Sequence, residues 1–304
     1  MSADTLRRIV LIGPGLGWLA LFLVLPCAIV FVYSFFERGT YGGIDYVFTF
    51  DNYVRAADTL YLSIFLASAK IAVLATLAAL VIGYPAAYLI ATAPKQWQTT
   101  LLILVMLPFW SNYLIRTYAW IVLLNREGLI NNGLQELGLI GEPLPLLYNQ
   151  FAIVVGLLYG YLPFMVLALY SSISRLNPEI FEASSDLGAS PLRTFLRVTL
   201  PLTIPGIAAG CVFVFVLSIG NFVTPDLLGG GRTLMVGNLI FDQFLSARDW
   251  PFGSSLAFVL IGLMMLLLVA QAWAVNRSQD GGADATCPVP VGDCPSPAAA
   301  DSAP

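Results

Sequence analysis

The chain has 304 residues, 58% of them hydrophobic and 11% charged, with a net charge of −4. Soluble domains carry roughly 25% charged residues. This composition, with a mean hydropathy of +0.82, therefore describes a polytopic membrane protein and excludes a soluble-domain reading from length alone. Histidine is absent, which excludes the common His-based metal sites and His acid–base chemistry. The acidic balance implies no nucleic-acid partner.

Residues 1–8 precede the first apolar run, Ile9–Tyr33, with Arg7 and Arg8 at its edge. The run exceeds the roughly 7–15 residues of a signal-peptide core and no A-x-A site follows, so it reads as a retained anchor. Five more runs are near or beyond the ~20 residues that cross a bilayer core. They are Leu60–Ile90, Thr99–Leu124, Phe151–Tyr170, Leu202–Phe222 and Pro251–Val275. Lys70 lies in the second run and Arg116 in the third; the other four are uncharged. The expectation is an all-α membrane protein with six transmembrane helices over residues 9–275, and a tail at 276–304.

Orientation follows Lys and Arg near the span ends. With both termini cytoplasmic, the inner set is Arg7, Arg8, Lys95, Arg175, Arg193, Arg197 and Arg277, against Arg38, Arg55, Arg126, Arg232 and Arg248 outside. The tail is rich in Gly, Ala, Pro and Asp and is expected to be disordered, because it cannot bury enough apolar surface to fold.

Pro26, Pro85, Pro108, Pro163 and Pro205 sit in or near the apolar runs. They fit either ordinary membrane-helix kinks or hinges along a pathway. Asn131-Asn132-Gly133 and Leu228-Gly229-Gly230-Gly231 carry turn chemistry. Arg248-Asp249-Trp250-Pro251 leads into the sixth run, with Trp250 placed as an interfacial anchor. Cys27 and Cys211 read as small apolar packers. Cys287 and Cys294 have no accompanying ligands, so no metal site is expected.

The polar insert at 177–206, NPEIFEASSDLGASPLRTFLRVTLPLTIPG, separates the fourth and fifth runs. Asn177 can cap a helix opened by Pro178, with Glu179 and Glu182 favoured near its N-terminus. Ile180, Ala183 and Leu187 form an apolar stripe beside an acidic stripe of Glu179, Glu182 and Asp186. Gly188 is a natural stop. Ser190 and Pro191 restart a second short helix, which Pro201 is expected to break. Physical reasoning leaves two readings open: a helix gripped by a cytoplasmic protein, or one resting on lipid.

Glu182-Ala183-Ser184, then Gly188, then Val198-Thr199-Leu200-Pro201 resembles the EAA loop of binding-protein-dependent ABC importer permeases. Ser184 replaces the second alanine of that motif and Val198 its isoleucine. Over roughly Gly13 to Val275 the chain is similar to the first permease subunit of spermidine/putrescine-type importers. The stretches that carry this are Leu107–Asn112, Leu114–Tyr118, Tyr161–Met165, Asp186–Ser190 and Arg248–Pro251.

The resemblance implies a type I ABC importer permease fold in a bacterial inner membrane. It implies that Glu182, Ala183, Ser184, Asp186, Leu187 and Gly188 couple to a separate ATPase. Two ATPase copies, a second six-helix permease, a periplasmic substrate-binding protein and membrane lipid would complete the system. This chain would be non-catalytic and without a cofactor, ATP-Mg being bound by the partner. It has no phosphate-binding G-x-x-x-x-G-K-[ST] loop, consistent with that division.

Polar and charged residues inside spans are pathway candidates: Lys70, Trp110, Asn112, Tyr113, Arg116, Tyr118, Tyr161, Asn221 and Asp226. Arg116 fits pairing within the bundle or a pathway-lining role. Asn221 fits an outer gate or a helix cap. A polyamine is expected to meet carboxylates and aromatic faces, yet no acid lies within any run and Lys70 would repel a cation. Opine-like, aminophosphonate-like or amino-acid-like solutes therefore stand as alternative substrates. A secondary transporter would need intramembrane acids or inverted repeats, and a membrane enzyme would need a catalytic cluster; neither is evident in the sequence.

Overall fold

The computed structural model describes residues 13–283 other than 16 and 41, with side chains described to residue 273 except that of residue 178. In chain order, α1 (Leu25–Tyr33) continues a helical stretch from Gly13 through a π turn at Ala20–Val24. A hairpin of β1 (Phe36–Arg38) and β2 (Ile44–Phe48) follows, then α2 (Asp51–Ala56) and the long α3 (Thr59–Thr92). Next come α4 (Lys95–Met106), α5 (Tyr113–Leu124), α6 (Leu129–Glu136) and α7 (Gln150–Ile173). The chain continues with α8 (Pro178–Asp186), α9 (Pro191–Thr194), α10 (Leu200–Ile219), α11 (Val223–Gly229), α12 (Val236–Leu245) and α13 (Trp250–Ala283).

Among the described residues, five helices are long and apolar enough to cross a membrane, or six if one bent pair counts as a span. That pair corrects the expectation of a continuous third span. Thr99–Leu124 is split, with Lys95–Trp110 and Tyr113–Glu136 meeting at 86°. Pro108 sits in a 3-10 turn at Leu107–Trp110, Ser111 is extended, and the Asn112 side chain accepts the Leu114 N–H at 2.9 Å to start α5 afresh. Proline lacks an N–H and the capped asparagine supplies a new beginning, so the break has a local cause.

The fifth span needs the opposite correction. Pro201 breaks nothing: α9 runs through a π turn at Phe195–Thr199 into α10, giving one helical span over Pro191–Ile219. Pro201 lies inside that continuous span, directly after the π turn, whose altered bonding accommodates the missing N–H. Asn131, Asn132 and Gly133, expected in a turn, lie within α6. The buried Asn131 side chain instead stitches the surrounding loop to Asn125 and Leu144. The last helix reaches Ala283, eight residues into the stretch read as a disordered tail. The remainder of that tail, and residues 1–12, lie outside the described residues.

The core sits where α3, α7 and α10 pack together. The buried face of α3 is a run of small side chains: Ser68, Ala72, Ala75, Thr76, Ala79 and Ala87. Helices in lipid gain little from hydrophobic burial and rely on close packing of small residues. Gly206 and Gly210 of α10, one turn apart, provide it: a Cβ on Gly206 would overlap Ser172, and one on Gly210 would come 2.8 Å from Met165 Sδ. By contrast, the apolar stretch that contains α1 has none of its residues buried.

At the end of the bundle away from the 177–206 loop, the β1–β2 hairpin is tied to the start of α13. Arg38 donates to the Ala247 carbonyl at 2.7 Å, and Arg55 pairs with Asp249 at 3.0 Å. Composition gave no sign of this hairpin, which pairs Phe36 with Phe48 and Arg38 with Ile44 across a register irregularity.

Candidate functional site

The 177–206 loop is built as the sequence punctuation requires. Asn177 Oδ1 accepts the Glu179 N–H at 3.2 Å, while Asn177 Nδ2 donates to Glu179 Oε2 at 2.9 Å. The end of α8 is a Schellman motif. The Gly188 N–H donates to the Ser185 carbonyl at 2.9 Å and the Ala189 N–H to the Ser184 carbonyl at 3.1 Å, with Gly188 at φ +71°. The left-handed turn suits glycine and closes the helix where the orphan carbonyls need donors.

Ser184 is buried, and its hydroxyl pairs with that of Thr194 at 2.7 Å, joining α8 to α9. The serine at an alanine position of the resembled motif therefore has a partner of its own. Glu182, Ala183, Asp186 and Gly188 are exposed, as is Ile180 at the near end of the apolar stripe. Leu187 is 88% exposed. A leucine this open in the apolar stripe leaves a surface that none of the described residues covers.

A second cluster lies at the other end of the bundle, where α10 stops at Ile219. Asn221 is buried and its Nδ2 donates to the hydroxyls of Tyr113 and Tyr161, both at 2.6 Å. Asn221 Oδ1 accepts the Thr224 N–H at 2.9 Å, and the Thr224 hydroxyl pairs with that of Tyr113. One side chain thus links α5, α7 and α11. Close packing seats it: a Cβ on Gly156 of α7 would fall 2.7 Å from Thr224 Cγ2, and one on Gly237 of α12 would fall 2.7 Å from the Asn221 carbonyl oxygen.

Of the sequence candidates, the structure brings Tyr113, Tyr161 and Asn221 together. Arg116 stands beside them but is spent on the helix break. It is buried, donates to the Pro108 carbonyl at 3.0 Å, and lies over the rings of Phe109, Tyr113 and Tyr159 at 5.6, 5.2 and 5.8 Å. Trp110, Asn112, Tyr118, Asp226 and Lys70 are exposed and join no part of the cluster. Thr224 was not foreseen; its one sequence signal is a position three residues after Asn221, where a capped N–H belongs. Among the described residues, no group of three His, Cys, Asp or Glu side chains could hold a metal ion.

The geometry is thus a helical membrane bundle with a broken span, an exposed amphipathic loop at one end and a polar cluster at the other. The chain belongs to the family of binding-protein-dependent transport system inner membrane components, whose model matches residues 9–279. It is accordingly a multi-pass inner-membrane subunit of an ABC importer whose ATPase is a separate chain.

The chain is 44% identical over 261 residues to the spermidine/putrescine transport system permease protein PotB of Escherichia coli (strain K12), covering 86% of this chain and 94% of that one. It is 41% identical over 252 residues to PotB of Haemophilus influenzae, covering 83% and 88%. Among solved structures it is similar in fold to a chain of the bacterial alginate ABC transporter in complex with an alginate pentasaccharide-bound periplasmic protein. There the TM-score is 0.71 at 16% identity, over 88% of this chain and 94% of that one. The inward-facing MetNI methionine ABC transporter gives a TM-score of 0.53 at 17% identity, over 73% and 99%.

Proposed function

We propose that this chain is one of two six-span permease subunits that together form the pathway for a polyamine, spermidine or putrescine. In this reading two copies of an ATP-binding subunit drive transport, and a periplasmic binding protein delivers the solute. The observation that carries it is near-full-length identity to PotB, 44% over 94% of that protein. ATP and magnesium are held by the partner ATPase, and this chain contributes no cofactor. Both termini are cytoplasmic, which places the 177–206 loop on the same side as the ATPase.

Coupling runs through α8. Its exposed face of Glu182, Ala183, Asp186 and Leu187 fits a cleft in the ATPase, and the Ser184–Thr194 bond ties motion of α8 to α9. The continuous helical path over Pro191–Ile219 then carries the displacement toward the Asn221 cluster. The exposed Leu187 favours a protein cleft over lipid rest, because it sits at the helix end beside Asp186 rather than on a face free of acids.

The test is uptake in proteoliposomes containing this permease, the second permease and the ATPase, supplied with the cognate binding protein. Labelled spermidine and putrescine should accumulate only with ATP on the ATPase side, whereas an opine, an aminophosphonate and an amino acid should not. Accumulation of one of those three in place of the polyamines would refute the substrate assignment.

A further inference from the structure

We propose that the cavity at the interrupted end of α10 is a subsite for an ammonium group of the transported solute. It would be held by carbonyl oxygens of the last α10 turn, the Tyr161 hydroxyl and the face of Phe222. The proposal rests on the polyamine reading above and answers the question that reading leaves open: how a cation is accommodated where no carboxylate lies in a span.

The cavity measures ≈ 340 Å³ and is lined by Tyr161, Leu217, Gly220, Asn221, Phe222 and Val223, among others. This lies within the ~300–1,000 Å³ of small-molecule sites. The lining holds no charged side chain of either sign. Lys70 is not part of it, and Arg116 opens onto a separate cavity beside Ser111 and Tyr159. Neither intramembrane cation lines this cavity: Lys70 joins no part of the cluster, and Arg116, beside Tyr113, donates to the Pro108 carbonyl.

Its electrostatic character comes from the backbone. A helix C-terminus presents carbonyls without intrahelical donors and carries roughly half a negative charge. In α10, the Val216 and Ser218 carbonyls accept from the Gly220 and Asn221 N–H groups, and the Leu217 carbonyl between them receives no such donor among the described residues.

The N-terminus of α11 could cancel this field, but its donors are mostly consumed. The Thr224 N–H goes to Asn221 Oδ1, residue 225 is proline, and the Asp226 N–H returns to the Phe222 carbonyl. The Val223 N–H has no backbone acceptor among the described residues, and Leu217, which lines the cavity, keeps a carbonyl acceptor without a backbone donor. An ammonium carries three donors and seeks such acceptors.

The aromatic contribution is also fixed. Phe222 stacks on Phe241 with centroids 4.7 Å apart at 14°, and is 40% exposed. A cation near an aromatic face gains about 0.5–2 kcal/mol depending on its desolvation. Tyr161 already accepts from Asn221 Nδ2, so its hydroxyl is oriented before the solute arrives. Carbonyls and rings bind a cation less tightly than a buried carboxylate would. A pathway site needs this, since the solute must leave as well as enter.

The test uses the complete complex in proteoliposomes with polyamine-loaded binding protein. Leu217→Lys sets a positive charge at the cavity, and Leu217→Met keeps similar bulk without it. We expect about a tenfold or greater loss of spermidine uptake for Leu217→Lys, near-normal uptake for Leu217→Met, and ATPase stimulation by loaded binding protein retained in both. Phe222→Leu, which removes the ring but keeps an apolar group, should lower uptake about threefold or more, and decides the matter if Leu217→Lys does not assemble. Equal effects of Lys and Met, or unchanged uptake in Phe222→Leu, overturn the subsite while leaving the polyamine reading intact. Wild-type vesicles that accumulate a different solute overturn both.

Discussion

The hydroxyls of Ser184 and Thr194 lie 2.7 Å apart, both buried, and form the side-chain link between the two short helices of the coupling loop. Removing one partner of a buried hydrogen bond strands the other, at about 1–3 kcal/mol, while replacing both by apolar groups of like shape can be nearly neutral. Ser184→Ala should therefore lower the thermal midpoint of the purified complex and the solute moved per ATP. The double variant Ser184→Ala, Thr194→Val should recover most of the stability. Thermal unfolding of the four variants in one double-mutant cycle measures the coupling, and additive effects would show that the bond contributes nothing.

Gly188 holds φ +71°, and a Cβ there would meet no atom within 4 Å. A substitution at this position thus acts through backbone conformation and not through a clash. A β-branched residue in the left-handed region costs roughly 1–2 kcal/mol or more, whereas asparagine tolerates it. Gly188→Val should leave the protein in the membrane at normal levels but reduce uptake several-fold and weaken co-purification of the ATPase. Gly188→Asn should stay near wild type. Equal uptake in the two variants would remove the left-handed turn from the coupling mechanism.

Gly206 permits a close approach of α10 to α7, at Ser172. Gly206→Leu forces the two helices apart at the end of α7 next to the 177–206 loop, an overpacking that typically costs about 1–3 kcal/mol. The expected outcome is reduced accumulation in the membrane and greater protease sensitivity, with Gly206→Ala milder. Gly262, with nothing within 4 Å, is the matched control and should accept alanine without effect.

Asp249 is 2% exposed and does two things at once: its Oδ2 pairs with Arg55 at 3.0 Å and its Oδ1 accepts the Phe252 N–H at 3.2 Å. Arg55 also lies 3.9 Å over the Phe252 ring. Burial works against the Arg55 charge, but hydrogen bonds and charge interactions with Tyr61 and Asp249 outweigh it and raise the guanidinium above its ordinary value. With the folded value raised, the arginine's contribution is complete at lower pH and would be lost only above the normal arginine range. The pair is therefore insensitive to alkali up to that point. Asp249→Asn keeps the helix cap and loses the ion pair; Asp249→Ala loses both and should be less stable by a further ~1 kcal/mol. Thermal midpoints of the two variants check the order.

Much of this was legible in the chain because apolar length and helix punctuation are local signals. Asn177, Pro178 and Gly188 act within a few residues of themselves, so α8 and its stop could be placed without a fold. Pro201 was misread for the complementary reason: a proline inside a helix breaks it only where its missing N–H is not absorbed locally, and the π turn at Phe195–Thr199 absorbs it. The break after Trp110 was similarly hidden, since a hydropathy run is blind to a change of direction. Tyr113, Tyr161 and Asn221 could be named singly. Their convergence depends on tertiary packing at Gly156 and Gly237, which no spacing reports. Arg116 carried an ambiguous signal, and the structure shows both its bond to the Pro108 carbonyl and its place in the lining of a cavity with Ser111 and Tyr159.

The most direct test of coupling through α8 is site-specific crosslinking in membranes carrying the complete complex. Leu187→Cys and Leu137→Cys would each be introduced into a chain whose native cysteines are replaced. Both positions are exposed, 88% and 74%, but they lie at opposite ends of the bundle. Leu187→Cys should give an adduct with the ATPase whose yield changes when ATP is trapped, and Leu137→Cys should give none. An ATPase adduct from Leu137→Cys with none from Leu187→Cys would contradict both the coupling role of α8 and the orientation on which it depends.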